Sequence, residues 1–315
     1  MKVLILIFGI CLALLFVGGP DYYSPRSYQC AWDLGHIFFF SIFTYLLVNL
    51  WKRISKEVFL KQAIWVLSIT LLLGTMIELG QAGLDDRSPD IYDLMKDMTG
   101  ALVGLVFFVP SRRLLPKIRL RVLQIIVLII VFLSVIPLGE ALIDEAIARQ
   151  QFPNLSDLET PFEIKRWKGD SKFEIDHKIF RQGKSSLKVL LDTSQYSGVG
   201  LRYFVNDWRN YNYLQFSIFN PSSDPIKINC RVHDIHHVEH GESYFDRFNS
   251  SYLIPQGWSD LKISIKDIVN APKKRKMDLS RIQSLYIFVI RLPRPAVLYI
   301  DDVRLTQGSS EKSND

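Results

Sequence analysis

Up to about residue 138 the apolar positions come in long uncharged runs, and beyond about residue 160 they come in short runs that alternate with polar ones. Runs near 3–19, 31–50, 62–80, 95–110 and 121–138 approach the roughly 20 helical residues that cross a hydrocarbon layer of about 30 Å. About ten short segments follow, at 162–167, 172–176, 186–191, 199–205, 213–220, 226–233, 250–254, 261–265, 284–291 and 296–305, with Gly, Asn, Pro and Asp between them. In Leu214-Gln215-Phe216-Ser217-Ile218-Phe219 apolar and polar residues alternate, as a strand with one buried face requires. The pattern predicts an α-helical transmembrane bundle of about five spans followed by an all-β antiparallel jelly-roll sandwich. The expected divisions are a membrane domain over 1–140, a helix-compatible linker over 141–160, the sandwich over 161–306 and a disordered tail over 307–315.

Composition removes other classes. With 17 Gly, 14 Pro and only Cys11, Cys30 and Cys230 in 315 residues, collagen, disordered chains and disulfide scaffolds are excluded. Residues 1–150 carry 14 Lys and Arg against 12 Asp and Glu, and the remainder carries 24 against 20, so neither half has a nucleic-acid footprint. The run Lys273-Lys274-Arg275-Lys276 reads as a solvated turn or a contact to anionic envelope polymers. Cys30 and Cys230 read as free thiols, with a bridge left open.

Lys52, Arg53, Lys56 and Lys61 follow the second run, and Arg112, Arg113, Lys117, Arg119 and Arg121 follow the fourth, which makes both connections cytoplasmic. An odd number of spans then puts the sandwich on the other side. Pro20 after Gly18-Gly19 is a poor cleavage site, so the first run is read as an uncleaved span.

Polar groups gather at the outer edge of these spans. Asp33 and His36 share one helix face, as do Glu78 and Gln81, and Arg87 precedes Asp90, Asp93, Asp97, Gly100 and Gly104 at spacings of three and four. Gly100 and Gly104 form a small-xxx-small pattern that admits another helix closely. Ionisable groups so placed mark a site or a network that staples helices together, with Arg87 expected to pair Asp90, Asp93 or Glu78.

Asp-x-x-His opening a span, then Glu-x-x-Gln, Arg-x-x-Asp-x-x-Asp and Gly-x-x-x-Gly, resembles the VanZ-like membrane family over residues 1–110. The resemblance implies a multi-pass protein of the bacterial cell membrane linked to glycopeptide-antibiotic susceptibility, and it carries the family's polar positions onto Asp33, His36, Glu78, Gln81, Arg87, Asp90, Asp93 and Gly100. Asp97 stands where the family more often has Asn, adding a negative charge.

In the second half, Trp208-x-x-Tyr211-x-Tyr213-Leu214, Gly257-Trp258 and Tyr299-Ile300-Asp301-Asp302-Val303 resemble the galactose-binding-like jelly rolls, which include carbohydrate-binding modules and the related domain of complex I intermediate-associated proteins. That resemblance implies glycan binding as one role of a fold that also has protein-binding and structural members, and the charge of the connections puts the domain on the periplasmic or wall side. Four of the six His lie in Arg231–Arg247. Sugar sites combine planar hydrogen-bonding groups with an aromatic face, and the candidates are Trp208, His233, Asp234, His236, Glu239, His240, Tyr244 and Arg247. A metal set built on His236, His240 and Glu239 is the rival, although no closed ligand set is present and no metal or cofactor is expected.

No Gly-x-Ser-x-Gly elbow or Gly-rich phosphate loop is present, and no catalytic residue is assigned. The expectation is a non-enzymatic envelope protein whose sandwich binds glycan or another partner outside, with the bilayer and an envelope polysaccharide or lipid-linked precursor as partners and no nucleic acid. The competing reading is a membrane enzyme or transporter acting on a lipid-linked envelope precursor through Asp33, His36, Glu78 and Arg87.

Overall fold

The computed structural model describes residues 2–16, 19–21, 23–82 and 91–308, and it divides into two compact units, 1–142 and 143–315. Arg87 and Asp90 lie outside the described residues, as does the predicted tail after residue 308.

The first unit is helical: α1 (Lys2–Phe16), α2 (Arg26–Leu50), the short α3 (Lys52–Ser55), α4 (Phe59–Ala82), α5 (Ile91–Val103) continued by a π-helical turn (Gly104–Phe108), and α6 (Lys117–Gln151). Among the described residues, three helices (α2, α4 and α6) are long and apolar enough to cross a membrane, whereas α1 has 15 residues and α5 has 13. Helix α4 shows why these segments suit lipid. Gln62, Val66, Thr70, Gly74 and Glu78, four apart, are buried, while Leu60, Ile64, Leu72, Met76 and Leu79 are exposed. A soluble helix with so much exposed apolar surface would be anomalous.

Helix α5 lies close against α2. A Cβ on Gly100 would come within 2.5 Å of the Ile37 carbonyl oxygen, and one on Gly104 within 2.6 Å of Thr44 Cβ, so only glycine admits this approach. Ser41 Oγ donates to the Gly100 carbonyl at 3.0 Å across the same seam. Gly100→Val is expected to destabilise the bundle by about 1–3 kcal/mol through overpacking, read as a lower thermal midpoint in detergent, with Gly35→Val, which has open space at its Cβ, as the comparison.

Helix α6 does not stop near Pro137, where the apolar run suggests an end, but continues to Gln151. The residues after Pro137 are mostly strong helix formers, and proline is tolerated within an apolar spanning helix. The stretch 141–160 is therefore not a free linker: after the helix, β1 (Asn154–Ser156) already pairs with the last strand of the sandwich.

The second unit is an antiparallel β-sandwich. Its further strands are β2 (Trp167–Gly169), β3 (Lys172–Asp176), β4 (Ser186–Leu191), β5 (Tyr196–Leu201), β6 (Tyr213–Asn220), β7 (Ile226–Asp234), β8 (Phe248–Ile254), β9 (Gly257–Ser264), β10 (Ile282–Ile290) and β11 (Ala296–Thr306). Two short helices, α7 (His236–Glu239) and α8 (Ile265–Asn270), sit in connections. One sheet has the order β3-β4-β11-β6-β9 with β1 also on β11, and the other has β2-β5-β10-β7-β8. The strand expected at 162–167 is instead a 3-10 turn over Glu163–Arg166. Arg166 is fully buried there, donating from Nε to Asp144 Oδ1 at 2.9 Å and from a terminal nitrogen to the Leu155 carbonyl, and this turn geometry aims it inward.

The core lies between the sheets. Leu285, Ile287 and Val289 of β10, Ile228, Cys230 and Val232 of β7, and Val199 and Leu201 of β5 face it, so the residues between them face outward. Cys230 is a free, buried thiol, and burial pushes it up.

Candidate functional site

The outward residues of the five-stranded sheet form rows set by the strand register. Gly200, Tyr286, Arg231 and Asn249 stand side by side on β5, β10, β7 and β8, and one step along the strands lies the row of Gly198, Phe288 and Asn229. In the other direction, past the end of β5 and the start of β8, the same register brings Arg202, Ser284, His233 and Arg247 alongside. The glycines have a steric reason. A Cβ on Gly200 would meet the Tyr286 ring at 2.5 Å, and one on Gly198 would meet Phe288 Cβ at 2.5 Å, so both aromatic residues occupy space that a side chain on β5 would fill. Tyr196, Phe288 and Tyr286 then form a continuous shelf, with ring centroids 6.0 and 5.5 Å apart.

Cations border this shelf. The Arg231 guanidinium lies 5.1 Å from the Tyr286 ring centroid and that of Arg247 lies 5.4 Å from Tyr244. The Nε atoms of Arg231 and Arg247 are buried with no hydrogen-bond partner, and among the described residues neither guanidinium forms an ion pair. Burial, with Arg231 alongside, pulls Arg202 and Arg247 below the usual guanidinium value. His233, its ring centroid 4.7 Å from that of His237 with the planes tilted by 38°, is held to about 2 by burial and by the positive charges of Arg231, His237, Arg247 and Arg202.

The sign of the His233 effect follows directly. A free His titrates near ~6.5, so between that value and about 2 the unfolded chain binds the additional proton, and stability falls as pH falls below about 6.5. A lower thermal midpoint at pH 5 than at pH 7 is expected, with His233→Gln flattening the dependence. An identical pH slope in His233→Gln contradicts the assignment.

The other residues expected at this site have different tasks. Trp208 is fully buried in the core against Phe204, so its indole cannot stack on a sugar; an aromatic residue leading into a strand carries no sign of which way it will turn. Asp234 is also fully buried and is held by Arg275, whose terminal nitrogens donate to its two oxygens at 2.5 and 2.7 Å. Arg275 also donates to Asp246 at 2.8 and 2.7 Å, which keeps the Asp246 carboxyl below its usual value. One member of the basic run 273–276 is thus a structural clamp rather than a solvated charge. His236 bonds Glu239 at 2.7 Å on the surface of α7, and His240 bonds Asp246 at 3.3 Å. Among the described residues, no three His, Cys, Asp or Glu side chains are grouped to hold a metal ion. Arg202, Arg231, Tyr286 and Phe288 were not among the sequence candidates, although the period-two alternation of β7 and β10 marks three of them as outward.

The opposite sheet also carries aromatic residues, Phe219, Trp258 and Tyr299, with Phe219 centroids 5.3 and 5.9 Å from the other two. Among its charges Arg181 pairs with Asp260 at 2.7 Å and Lys188 with Glu174 at 2.7 Å, while Arg304 on β11, 3.2 Å from Asp302, also has a buried Nε with no hydrogen-bond partner among the described residues.

In the first unit, His36 Nδ1 and Asp97 Oδ1 are 2.7 Å apart with both residues buried, and the additional negative charge at Asp97 is met there. Gly74 of α4 makes room, since a Cβ on it would come within 2.4 Å of Asp97 Oδ2. Lys96 bridges Asp33 at 3.0 Å and Asp93 at 2.6 Å. Lys96 thus supplies a cation to the cluster, and the pairing expected of Arg87 lies outside the described residues. Glu78 is buried, and the Gln81 side chain lies outside what is described.

Several solved structures resemble the C-terminal part. A family 11 carbohydrate-binding module from Clostridium thermocellum, in complex with a β-1,3-1,4-mixed-linked tetrasaccharide, is 15% identical at TM-score 0.39, covering 49% of this chain and 95% of that one. An exo-β-agarase is 14% identical at TM-score 0.41, with 50% of this chain matching 25% of that one. A family 30 carbohydrate-binding module of a Clostridium thermocellum cellulase is 17% identical at TM-score 0.35, covering 46% and 92%. No curated protein matches the chain. The family model VanZ/LLP1 matches residues 4–115, the stretch that holds Asp33, His36, Lys96 and Asp97. The N-terminal unit thus contains a VanZ-like domain at residues 4–115.

Proposed function

We propose that the chain is a multi-pass protein of the bacterial cell envelope whose sandwich stands outside the membrane and binds glycan on the outward face of the five-stranded sheet. The observation that carries this reading is Tyr286, spread over Gly200 beside Arg231, whose Nε has no hydrogen-bond partner among the described residues. A sugar ring offers C–H groups to an aromatic face and hydroxyls to planar donors, and this row supplies both. The positive charge at 52–61 and 112–121 supports the outer placement of the sandwich on the reading that α1 and α5 cross with α2, α4 and α6. The VanZ-like domain is then the anchor, with helices clamped by the Asp33, Asp93, Lys96 and His36–Asp97 pairs.

Chemistry at the membrane cluster is the weaker alternative, because the proposed base His36 is bonded to Asp97 and only 4% exposed. Full-length protein in a sugar-free detergent is expected to be retained on purified wall polysaccharide and released by soluble fragments of it. No retention on any envelope glycan contradicts the reading. A membrane-impermeant amine label on intact spheroplasts should reach lysines of the sandwich and spare Lys52, Lys56 and Lys61, and the reverse pattern contradicts the orientation.

A further inference from the structure

We propose that the glycan bound on this face is acidic, its carboxylate or phosphate seated between Arg231, Arg247 and Arg202. The proposal rests on the glycan-binding reading above and adds the charge of the ligand. Three half-buried guanidinium groups flank one imidazole, His233, in neighbouring rows of a single sheet face. Packing cations together is unfavourable unless an anion offsets them. Elsewhere in the sandwich the chain supplies that anion itself: Arg166 has Asp144, Arg181 has Asp260, and Arg275 has Asp234 and Asp246. At Arg231 and Arg247 the described residues form no such pair, and a buried Nε of each is left without an acceptor. Neutral sugar hydroxyls would leave the excess charge unmatched, whereas an oxyanion accepts two parallel N–H bonds from a guanidinium fork. Burial and the neighbouring guanidinium charges disfavour the protonated form of His233, so the cations of this cluster are the arginines. The Tyr196, Phe288 and Tyr286 shelf beside the arginines fits the sugar that bears the charge.

The test is calorimetric titration of the full-length protein, in a sugar-free neutral detergent, with three probes: polygalacturonate for carboxylate, poly(glycerol phosphate) for phosphate, and neutral dextran. At least one acidic polymer is expected to bind tenfold or more tightly than dextran, with an affinity that falls as salt rises. Which acidic polymer binds more tightly identifies the group. Arg231→Gln should lower that affinity at least tenfold, and Arg231→Lys, which keeps charge but not the fork, should fall between. Lys266→Gln, on exposed α8, should leave it within twofold, and thermal midpoints of all variants establish that each is folded. Equal binding of dextran and the acidic polymers, unchanged in Arg231→Gln, overturns the acidic specificity and leaves glycan binding intact. Equal losses in Arg231→Gln and Lys266→Gln mean diffuse attraction and also overturn it. Binding of no polymer overturns both readings together.

Discussion

Arg166→Ala is expected to destabilise the second unit by roughly 3–5 kcal/mol, the range for removing one partner of a buried ion pair. Arg166 is fully buried, its guanidinium lies 2.8 Å from Asp144 and 3.9 Å from Glu163, and both carboxylates are themselves almost inaccessible to water. Without it two acidic groups remain in the interior with one cation fewer. Glu163 keeps several donors, the backbone N–H groups of Asp157 and Leu158 and the hydroxyls of Ser156 and Thr160, so the greater consequence falls on Asp144 at the end of α6. Thermal or denaturant unfolding reads the loss, and Arg166→Ala combined with Asp144→Leu should recover part of it. A single variant within 1 kcal/mol of the parent would show that water reaches Asp144.

His36→Ala is expected to produce a loss of similar size, roughly 3–5 kcal/mol, in the helical unit. Asp97 is wholly inaccessible, one of its oxygens is bonded to His36 and the other has no partner among the described residues, and the seam it occupies exists because Gly74 and Gly100 have no side chains. Removing the imidazole leaves a buried carboxyl with nothing to meet it. Asp97→Asn, which keeps the hydrogen bond and removes the charge, should retain most of the stability. The midpoint of unfolding in detergent distinguishes the two variants, and equal losses in both would make the contact steric rather than polar.

How far the sequence reaches depends on whether a feature is local. The long apolar helices α2, α4 and α6 and most strands were legible, because the first show as long uncharged runs and burial imposes a period of two on the second. The turn at 163–166 was not, since its shape follows from Arg166 reaching Asp144, 22 residues earlier on α6. The approach of α5 to α2 could be read from Gly100 and Gly104, and the structure supplies the partner atoms at Ile37 and Thr44. The sheet-face site was only partly visible. Arg247 and Tyr244 lie in the His-rich segment and drew notice, while Arg202 and Tyr286 come from strands whose neighbours are set by register, and nothing local announces that β5 and β7 flank β10. Trp208 and Asp234 show the converse, for a side chain suited to sugar recognition also suits a core or a clamp until its burial is known.

The most direct measurement is calorimetric titration of the full-length protein with a wall polysaccharide that retains it, comparing Tyr286→Ala with Trp258→Ala. Tyr286→Ala is expected to weaken binding at least tenfold, on the order of 1.4 kcal/mol, while Trp258→Ala on the opposite sheet leaves it unchanged. Loss in Trp258→Ala with full affinity in Tyr286→Ala would contradict the account and move the binding face to the other sheet.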